Sequence, residues 1–180
     1  MDRVASELLD RPLTGLRLSG QTFRDELART PQTLLVFLRY FGCIFCKEMV
    51  KDARAAASLP GYPRVLVFCQ AGPEEAAEFF AKYWPEATVV CDPSKVFYDA
   101  FDLGHGTYMQ MFGPRVWVCG IRAVSKRNMQ GIPRKGLGDP WTMPGVFLAD
   151  TKGKIVWHHE FQHAGDHPDF KSIPQSVTVV

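Results

Sequence analysis

A strand that ends beside a close pair of cysteines constrains this chain more than any other feature. The apolar run over residues 34–40 predicts a buried strand, and apolar or small residues recur at helical spacing from Phe45 onward. Cys43 and Cys46 lie at the junction, with two residues between them. Unpaired N–H groups and the helix dipole favour thiolate over thiol at a helix start. The pattern therefore predicts dithiol chemistry, although it does not name a substrate.

Short apolar runs alternate with amphipathic stretches along the rest of the chain. Further strands are predicted over residues 13–18, 65–69 and 87–91, with a closing hairpin over 145–158. Helices are predicted over 22–29, from Pro73 to Pro85, and from Asp92–Pro93 to Gly104. This alternation predicts an α/β sheet with helices on both faces. No linker interrupts the 180 residues, so we expect a single domain over residues 1–180.

Composition excludes several classes of partner. The net charge of +2 is too small to indicate binding to nucleic acid or to an anionic membrane surface. No segment approaches the roughly 20 apolar residues of a membrane span, and the acidic N-terminal residues do not resemble a secretion signal. The five cysteines are an odd number, unlike a secreted disulfide framework. We therefore expect a cytoplasmic protein.

The cysteine pair admits several interpretations, of which redox chemistry is favoured. Zinc commonly needs four ligands, and Cys69, Cys91 and Cys119 form no second close pair. Haem attachment requires a histidine directly after Cys46, where this chain has Lys47. Thiol metal binding, two ordinary core cysteines and a redox-inactive binding module remain as alternatives. We predict no metal and no other cofactor.

The two cysteines are not expected to be equivalent. Cys43 falls at or just before the first helical residue, where free N–H groups point and where we expect solvent to reach. Cys46 lies one turn further along the helix. Cys43 is therefore the predicted nucleophile, which forms a sulfenic acid with peroxide or a mixed disulfide with a disulfide substrate. Cys46 is the predicted resolving partner.

Five segments, taken in order, carry a resemblance to a known family. They are residues 35–48, residues 91–93 with Tyr98 and Leu103, and residues 138–141, 144–147 and 165–168. They resemble the peroxiredoxin-like branch of the alkyl hydroperoxide reductase/thiol-specific antioxidant family, over roughly residues 14 to 174. The resemblance implies a thioredoxin-like fold with a central mixed sheet, and antioxidant or thiol-oxidoreductase activity. It also implies electrons from thioredoxin, glutaredoxin or glutathione.

One position departs from the family pattern. Typical peroxiredoxins place threonine or serine three residues before the peroxidatic cysteine, and this chain has Tyr40 there. Losing one preplaced donor can cost about 2.7–4 kcal/mol of transition-state stabilisation. We therefore expect slow hydroperoxide reduction, whereas disulfide exchange is unaffected. Peroxides and protein disulfides both remain candidate substrates.

Residues on either side of the motif are candidates for a substrate groove. Arg39 lies near the strand end, where it either stabilises a thiolate or anionic substrate or is an ordinary surface arginine. Pro144 precedes the strand that packs beside the motif in thioredoxin folds, where a cis Met143–Pro144 bond and a trans bond are equally expected. The full set of groove candidates is Arg39, Tyr40, Trp141, Thr142, Met143 and Pro144.

A basic segment over residues 104–140 fits the alternating pattern least well. The sequence of this segment predicts an inserted helix followed by a loop over 131–139. The segment is interpreted as a lid over the thiols, as a docking face for an acidic electron donor, or as a solvated surface. Cys119 within it is interpreted as structural, with a third redox thiol as the alternative. A homodimer is a further expectation.

Four histidines crowd the C-terminal part of the chain, at positions 158, 159, 163 and 167. A metal cluster is conceivable because imidazole is a common ligand. His158 and His159 are adjacent in a predicted strand, so their side chains point to opposite faces. The geometry therefore favours a surface tail.

Overall fold

One mixed sheet of six strands organises the computed structural model, which describes residues 2–114, Val116, Cys119 and 136–173. The sheet order is β1-β4-β3-β2-β5-β6. Strands β2, β3 and β4 are parallel, whereas β1, β5 and β6 run antiparallel to their neighbours. The strands are β1 (Gly15–Leu16), β2 (Gln32–Phe37), β3 (Arg64–Cys69), β4 (Thr88–Cys91), β5 (Gly145–Asp150) and β6 (Ile155–His159).

One helix precedes β1, and others lie between the later strands along the chain. They are α1 (Ser6–Leu9), α2 (Phe23–Leu27), α3 (Ile44–Ala57), α4 (Pro73–Tyr83), α5 (Val96–Ala100) and α6 (Tyr108–Phe112), followed by a 3-10 helix over Phe170–Ser172. The alternation confirms the predicted fold class, with helices on both faces of a mixed sheet. The closing hairpin formed by β5 and β6 is also confirmed.

Helix α5 begins later than the sequence predicted. Asp92 and Pro93 precede it as a turn, and the first helical residue is Val96. The Asp92 carboxylate nevertheless accepts the N–H groups of Val96 and Phe97, at 3.0 and 2.7 Å. The Asp92 carboxylate thus accepts two otherwise unpaired N–H groups of the first helical turn, although Asp92 lies outside the normal capping position.

The core is divided between the two faces of the sheet by the period-two alternation of β2. Leu34 and Val36 pack towards α3 and α4, whereas Leu35 and Phe37 pack towards α1, α2 and α5. The ring of Phe37 stacks on Phe68 of the neighbouring strand, with centroids 4.4 Å apart. Burying each such side chain contributes about 1.5–3 kcal/mol, so the sheet is stabilised from both sides.

The Tyr98 side chain joins the carboxyl ends of β2 and β3 through its hydroxyl group. Its side chain is fully buried, and its hydroxyl lies 2.6 Å from the carbonyl oxygen of Leu38 and 3.0 Å from that of Phe68. Burial raises the pKa of this phenol well above its ordinary value, so it stays a donor. The contact lies just before the loop that carries the cysteine pair.

The structure describes only part of the basic segment. Helix α6 begins at Tyr108, and Thr107 and Gln110 form a capping box at its start. The loop residues from Gly136 to Pro140 are also described. The basic residues Arg115, Arg122, Lys126, Arg127, Arg134 and Lys135 lie outside the described residues.

None of the helices within the described ranges combines the length and the apolar character needed to cross a lipid bilayer.

Replacing Tyr98 by phenylalanine tests the hydrogen bonding through which this side chain joins β2 to β3. Tyr98→Phe leaves two buried carbonyl oxygens without this donor, so we expect the free energy of unfolding in urea to fall by about 1–3 kcal/mol. Tyr108→Phe is the matched control, because Tyr108 is 75% exposed, and it should leave stability unchanged. Equal unfolding midpoints for both variants and the wild type would contradict the role of Tyr98.

Candidate active site

The junction of β2 and α3 positions the cysteine pair. Cys43 is the N-cap residue of α3, with extended backbone angles, and its carbonyl oxygen accepts the Lys47 N–H at 3.2 Å. The Cys43 N–H donates to the carbonyl oxygen of Tyr40 at 3.1 Å, which closes the loop after the strand. Cys46 lies in the first turn. A helix therefore begins directly beneath the two thiols.

The two thiols have opposite pKa shifts. A hydrogen bond from the Cys46 thiol lowers the pKa of Cys43 to about 6; the Arg39 charge and the N–H groups of Cys46 and Phe45 act in the same direction, against burial. Burial, followed by the interactions with Cys43, raises the pKa of Cys46 well above its ordinary value. Cys43 is thus held as thiolate and Cys46 as thiol at neutral pH. Their predicted roles as nucleophile and resolving partner are consistent with this asymmetry and stay predictions.

Arg39 lies against the Cys43 sulfur. Its Nη1 is 3.7 Å from Sγ of Cys43, and its Nη2 donates to the carbonyl oxygen of Pro140. The residue is 6% exposed, so the interpretation as an ordinary surface arginine was wrong. Its Nε is buried, with no hydrogen-bond partner among the described residues. The guanidinium therefore stabilises the thiolate, and its Nε–H is available as a donor to a bound molecule.

The site is closed to solvent, contrary to the expectation that solvent reaches Cys43. Cys43 is 2% exposed and Cys46 1%. Met111 of α6 packs into the same apolar cluster as both thiols, and the Ala164 N–H donates to the carbonyl oxygen of Gln110 at 2.9 Å. The segment around Ala164 lines the crevice beside Cys46, and α6 is hydrogen-bonded to that segment; residues 108–112 and 161–165 are called the cover below. The sequence could not show it, because α6 is distant from the motif along the chain.

Gly165 allows the cover to approach the motif closely. A Cβ atom at this position would lie 2.8 Å from Cβ of Cys119 and 2.9 Å from the ring of Phe45. Only glycine fits there without a shift of its neighbours. The same contact brings half-buried Cys119 to the motif, so its structural assignment and the third-thiol alternative both stay open. The remaining crevice beside Cys46 has essentially no room for a water molecule.

The other groove candidates surround the site at different depths. Pro144 lines the crevice together with Arg39 and Cys46. Tyr40 is buried and pairs through its backbone with Gly138, whereas half-buried Trp141 contacts the exposed rings of α6. Thr142 is 1% exposed, and its hydroxyl has no partner within the described part of the chain.

Met143 and Pro144 approach β5 without a cis bond. The Met143–Pro144 bond is trans, so the cis alternative was wrong. The Met143 N–H donates to the carbonyl oxygen of Gly104 at 2.9 Å, and the chain enters β5 at Gly145 in the lower-energy isomer. The sulfur of Met143 packs near Gly106 at the edge of the site.

The histidines are not all part of a surface tail. His158 is about half exposed, as predicted, but the side chain of His167 is only 8% exposed, and its Nε2 lies 3.3 Å from Asp52 of α3. Glu48, Asp52 and His167 each offer one ligand atom, and these atoms lie within 4.8 Å of one another. The surface assignment was wrong for His167, because the tail folds back onto the helix that carries the cysteines.

The sequence and the fold both match known thiol proteins. The AhpC/TSA antioxidant enzyme family model matches residues 49–163, which is more than half of the chain. The chain belongs to the AhpC/TSA antioxidant enzyme family. Prostamide/prostaglandin F synthase from Xenopus tropicalis is 27% identical over 167 residues, covering 90% of this chain and 82% of that protein.

Two solved structures share the thioredoxin-like fold with this family member. A cysteine-to-serine mutant of PrxQ from Xylella fastidiosa has a TM-score of 0.58 at 18% identity, covering 91% of this chain and 86% of the other. A secreted disulfide oxidoreductase of Mycobacterium tuberculosis, homologous to E. coli DsbE, has a TM-score of 0.53 at 14% identity, covering 89% and 90%. The family match begins after Cys46, so the roles given to the cysteines depend on the geometry described above.

Removing the Arg39 charge should make Cys43 harder to ionise. In the wild type, alkylation of Cys43 by iodoacetamide should rise with pH through about 6 and then level off. Arg39→Met should move this midpoint upward by about one unit or more, because an opposite charge close by is lost. Arg39→Lys keeps the positive charge, so its midpoint should lie close to that of the wild type. Arg54→Met removes a surface arginine and should leave the midpoint unchanged. An unchanged midpoint in Arg39→Met would refute the electrostatic role.

Shortening the buried side chain of the cover should expose the thiols. Met111 is 5% exposed and Met109 on the same helix is 70% exposed, so they form a matched pair. Met111→Ala should increase the alkylation rate of Cys43 by about thirtyfold, because a lost core contact of about 2 kcal/mol shifts the cover towards an open state. Its pH midpoint should not move. Met109→Ala should react at the wild-type rate, and equal rates for both variants would contradict the cover.

Proposed function

We propose that this family member is a thiol-dependent oxidoreductase that cycles between a Cys43–Cys46 dithiol and its disulfide. One observation carries the proposal: at the start of α3 a stabilised thiolate lies beside a protonated thiol, with the Arg39 guanidinium 3.7 Å from the Cys43 sulfur. A nucleophile, a proton source and a cation are thus assembled in one place. They are the parts that two-electron reduction by thiols needs.

With a hydroperoxide, the cycle has two chemical steps. The Cys43 thiolate attacks the terminal peroxide oxygen, so that an S–O bond forms, the O–O bond breaks and the alkoxide leaves as alcohol with the proton of Cys46. The Cys46 thiolate then attacks the Cys43 sulfenic acid, forming the disulfide and releasing hydroxide, which is protonated to water. Arg39 offers its free Nε–H to the negative charge that develops on oxygen. This donor compensates in part for the threonine or serine that typical peroxiredoxins place where this chain has Tyr40.

The walls of the closed site favour a small apolar hydroperoxide as substrate. Phe45, Pro144 and Phe161 line the crevice next to Cys46, and Met111 packs into the same cluster. A small molecule needs only a partial opening of the cover, whereas a protein disulfide needs a wide one. Disulfide exchange with a protein substrate is therefore the second form of the proposal, through a mixed disulfide on Cys43.

Reduction of the Cys43–Cys46 disulfide completes the cycle. We propose thioredoxin, or glutaredoxin with glutathione, as the electron donor, and the cytoplasm as the compartment that supplies them. A homodimer is also part of the proposal.

A second candidate function comes from the Xenopus tropicalis relative, whose name is prostamide/prostaglandin F synthase. The identity of 27% extends over 90% of this chain, and the side chains that line the closed crevice include Phe45, Pro144 and Phe161, so a lipid-like substrate would enter it only after the cover opens. The same thiolate at Cys43 would carry this activity. Formation of prostaglandin F by the wild type, and its loss in Cys43→Ser, distinguishes this candidate from general hydroperoxide reduction.

Serine substitutions of the two cysteines test the cycle. With thioredoxin, thioredoxin reductase and NADPH, Cys43→Ser should lower cumene hydroperoxide turnover by more than about 100-fold, because the nucleophile is lost. Cys46→Ser should still react once, leaving a Cys43 sulfenic acid that dimedone captures and mass spectrometry locates. Cys119→Ser is the matched control and should retain turnover.

Three other results are informative. Cleavage of insulin disulfides without peroxide turnover selects the exchange form of the proposal. A dimedone adduct on Cys46 or Cys119 instead of Cys43 contradicts the assignment of the nucleophile. Inactivity with both peroxide and insulin contradicts the enzymatic proposal and favours a redox-inactive binding module.

A further inference from the structure

A second pair of thiols lies at the carboxyl ends of two neighbouring strands. Cys69 is the last residue of β3 and Cys91 the last residue of β4, and the two are register partners in the parallel ladder. Their side chains point to the same face of the sheet, and their sulfur atoms are 3.9 Å apart. The cycle proposed above uses neither of them.

This arrangement is compatible with a disulfide. Adjacent strands lie about 4.7–4.9 Å apart, which falls within the range of Cα separations, about 4.4–6.8 Å, that disulfides span. The sulfurs would have to approach by about 2 Å to reach bonding distance. A rotation of either side chain about its Cα–Cβ bond changes the separation of the sulfurs and leaves the backbone hydrogen bonds of the two strands in place.

Cys91 borders an open cavity of about 270 Å³. Its walls include Arg11, Thr14, Asp92 and Ser94, so the cavity is polar enough for water and for hydrogen peroxide. Cys91 is 7% exposed, whereas Cys69 behind it is 1% exposed. A small oxidant therefore meets Cys91 first, and the cavity is too small for a protein.

The electrostatics of this pair repeat the asymmetry of the Cys43–Cys46 pair. The Cys69 thiol donates a hydrogen bond to the Cys91 sulfur, which lowers the pKa of Cys91 despite its burial. The same contact, together with burial, raises the pKa of Cys69 well above its ordinary value. The more accessible sulfur is thus also the more readily ionised one.

We propose that Cys69 and Cys91 form a second redox pair, which hydrogen peroxide entering the cavity beside Cys91 converts to a disulfide. The Cys91 thiolate attacks one peroxide oxygen, so that an S–O bond forms, the O–O bond breaks and hydroxide leaves with the Cys69 proton as water. The Cys69 thiolate then attacks the Cys91 sulfenic acid, forming the S–S bond and releasing hydroxide, which is protonated to a second water. Two electrons pass from the sulfurs to the peroxide. The reaction needs neither Cys43 nor Cys46.

Tryptic mapping without reduction tests this second pair. The full-length protein is reduced, freed of reductant, treated with hydrogen peroxide, blocked with N-ethylmaleimide in denaturant and digested. Cys69 and Cys91 lie on separate tryptic peptides, residues 65–82 and 83–95, whereas Cys43 and Cys46 share the peptide 40–47. We expect peptides 65–82 and 83–95 as one linked species. It should also form in Cys43→Ser, where the first pair cannot cycle, so the two proposals can fail separately.

Matched variants assign the order of events. Cys69→Ser should lose the linked species and leave a Cys91 sulfenic acid that dimedone captures, whereas Cys91→Ser should lose both the link and the adduct. The linked species should also be lost when the wild type is oxidised in urea, because the register that joins the strands is gone. Cys69 and Cys91 both recovered as maleimide adducts, in the wild type and in Cys43→Ser alike, would overturn the proposal.

Discussion

The start of α3 at Ile44, after the short loop that follows β2, is the constraint on which the candidate active site depends. It makes Cys43 the N-cap residue, so its sulfur lies where backbone N–H groups are unpaired and the helix dipole is positive. Tyr98 holds the end of β2 to β3 immediately before this point. The sheet thereby sets the position of the thiolate, and Arg39 on the connecting loop is carried to within reach of it.

Burial makes that thiolate costly, and the site compensates locally. A charge in a dry interior is unfavourable unless a partner offsets it, and here the Arg39 guanidinium and the Cys46 thiol do so. The same burial keeps Cys46 protonated, so one environment produces two different thiols. Closure over Cys43 also excludes water, so a substrate of the proposed reaction would reach the thiolate only after the cover opens. The second pair, Cys69 and Cys91, reaches a similar asymmetry at a strand end without a helix or an arginine.

Much of the fold could be predicted because local patterns have local causes. The alternation within β2, the proline that begins α4 at Pro73 and the hairpin turn before β6 all depend on residues close together in sequence. The predicted start of α5 was too early, because the Asp92 carboxylate accepts the N–H of Val96 from four residues away and a turn separates the two residues. The pairing of Cys69 with Cys91 had a usable signal, since consecutive parallel strands end at the same edge of a sheet.

The sequence by itself determined that a dithiol lies at a strand–helix junction in an α/β sheet, because hydrophobic period and helix-start chemistry are short-range properties. The tertiary structure decided what surrounds that dithiol. Arg39 contacts the Cys43 sulfur, His167 lies against Asp52, and α6 is hydrogen-bonded to the segment around Ala164, which lines the crevice beside Cys46. These contacts join residues that are brought together only by the path of the chain and by side-chain direction. Accessibility depends on the sum of such contacts, which is why the burial of Cys43 could not be inferred from its neighbours in sequence.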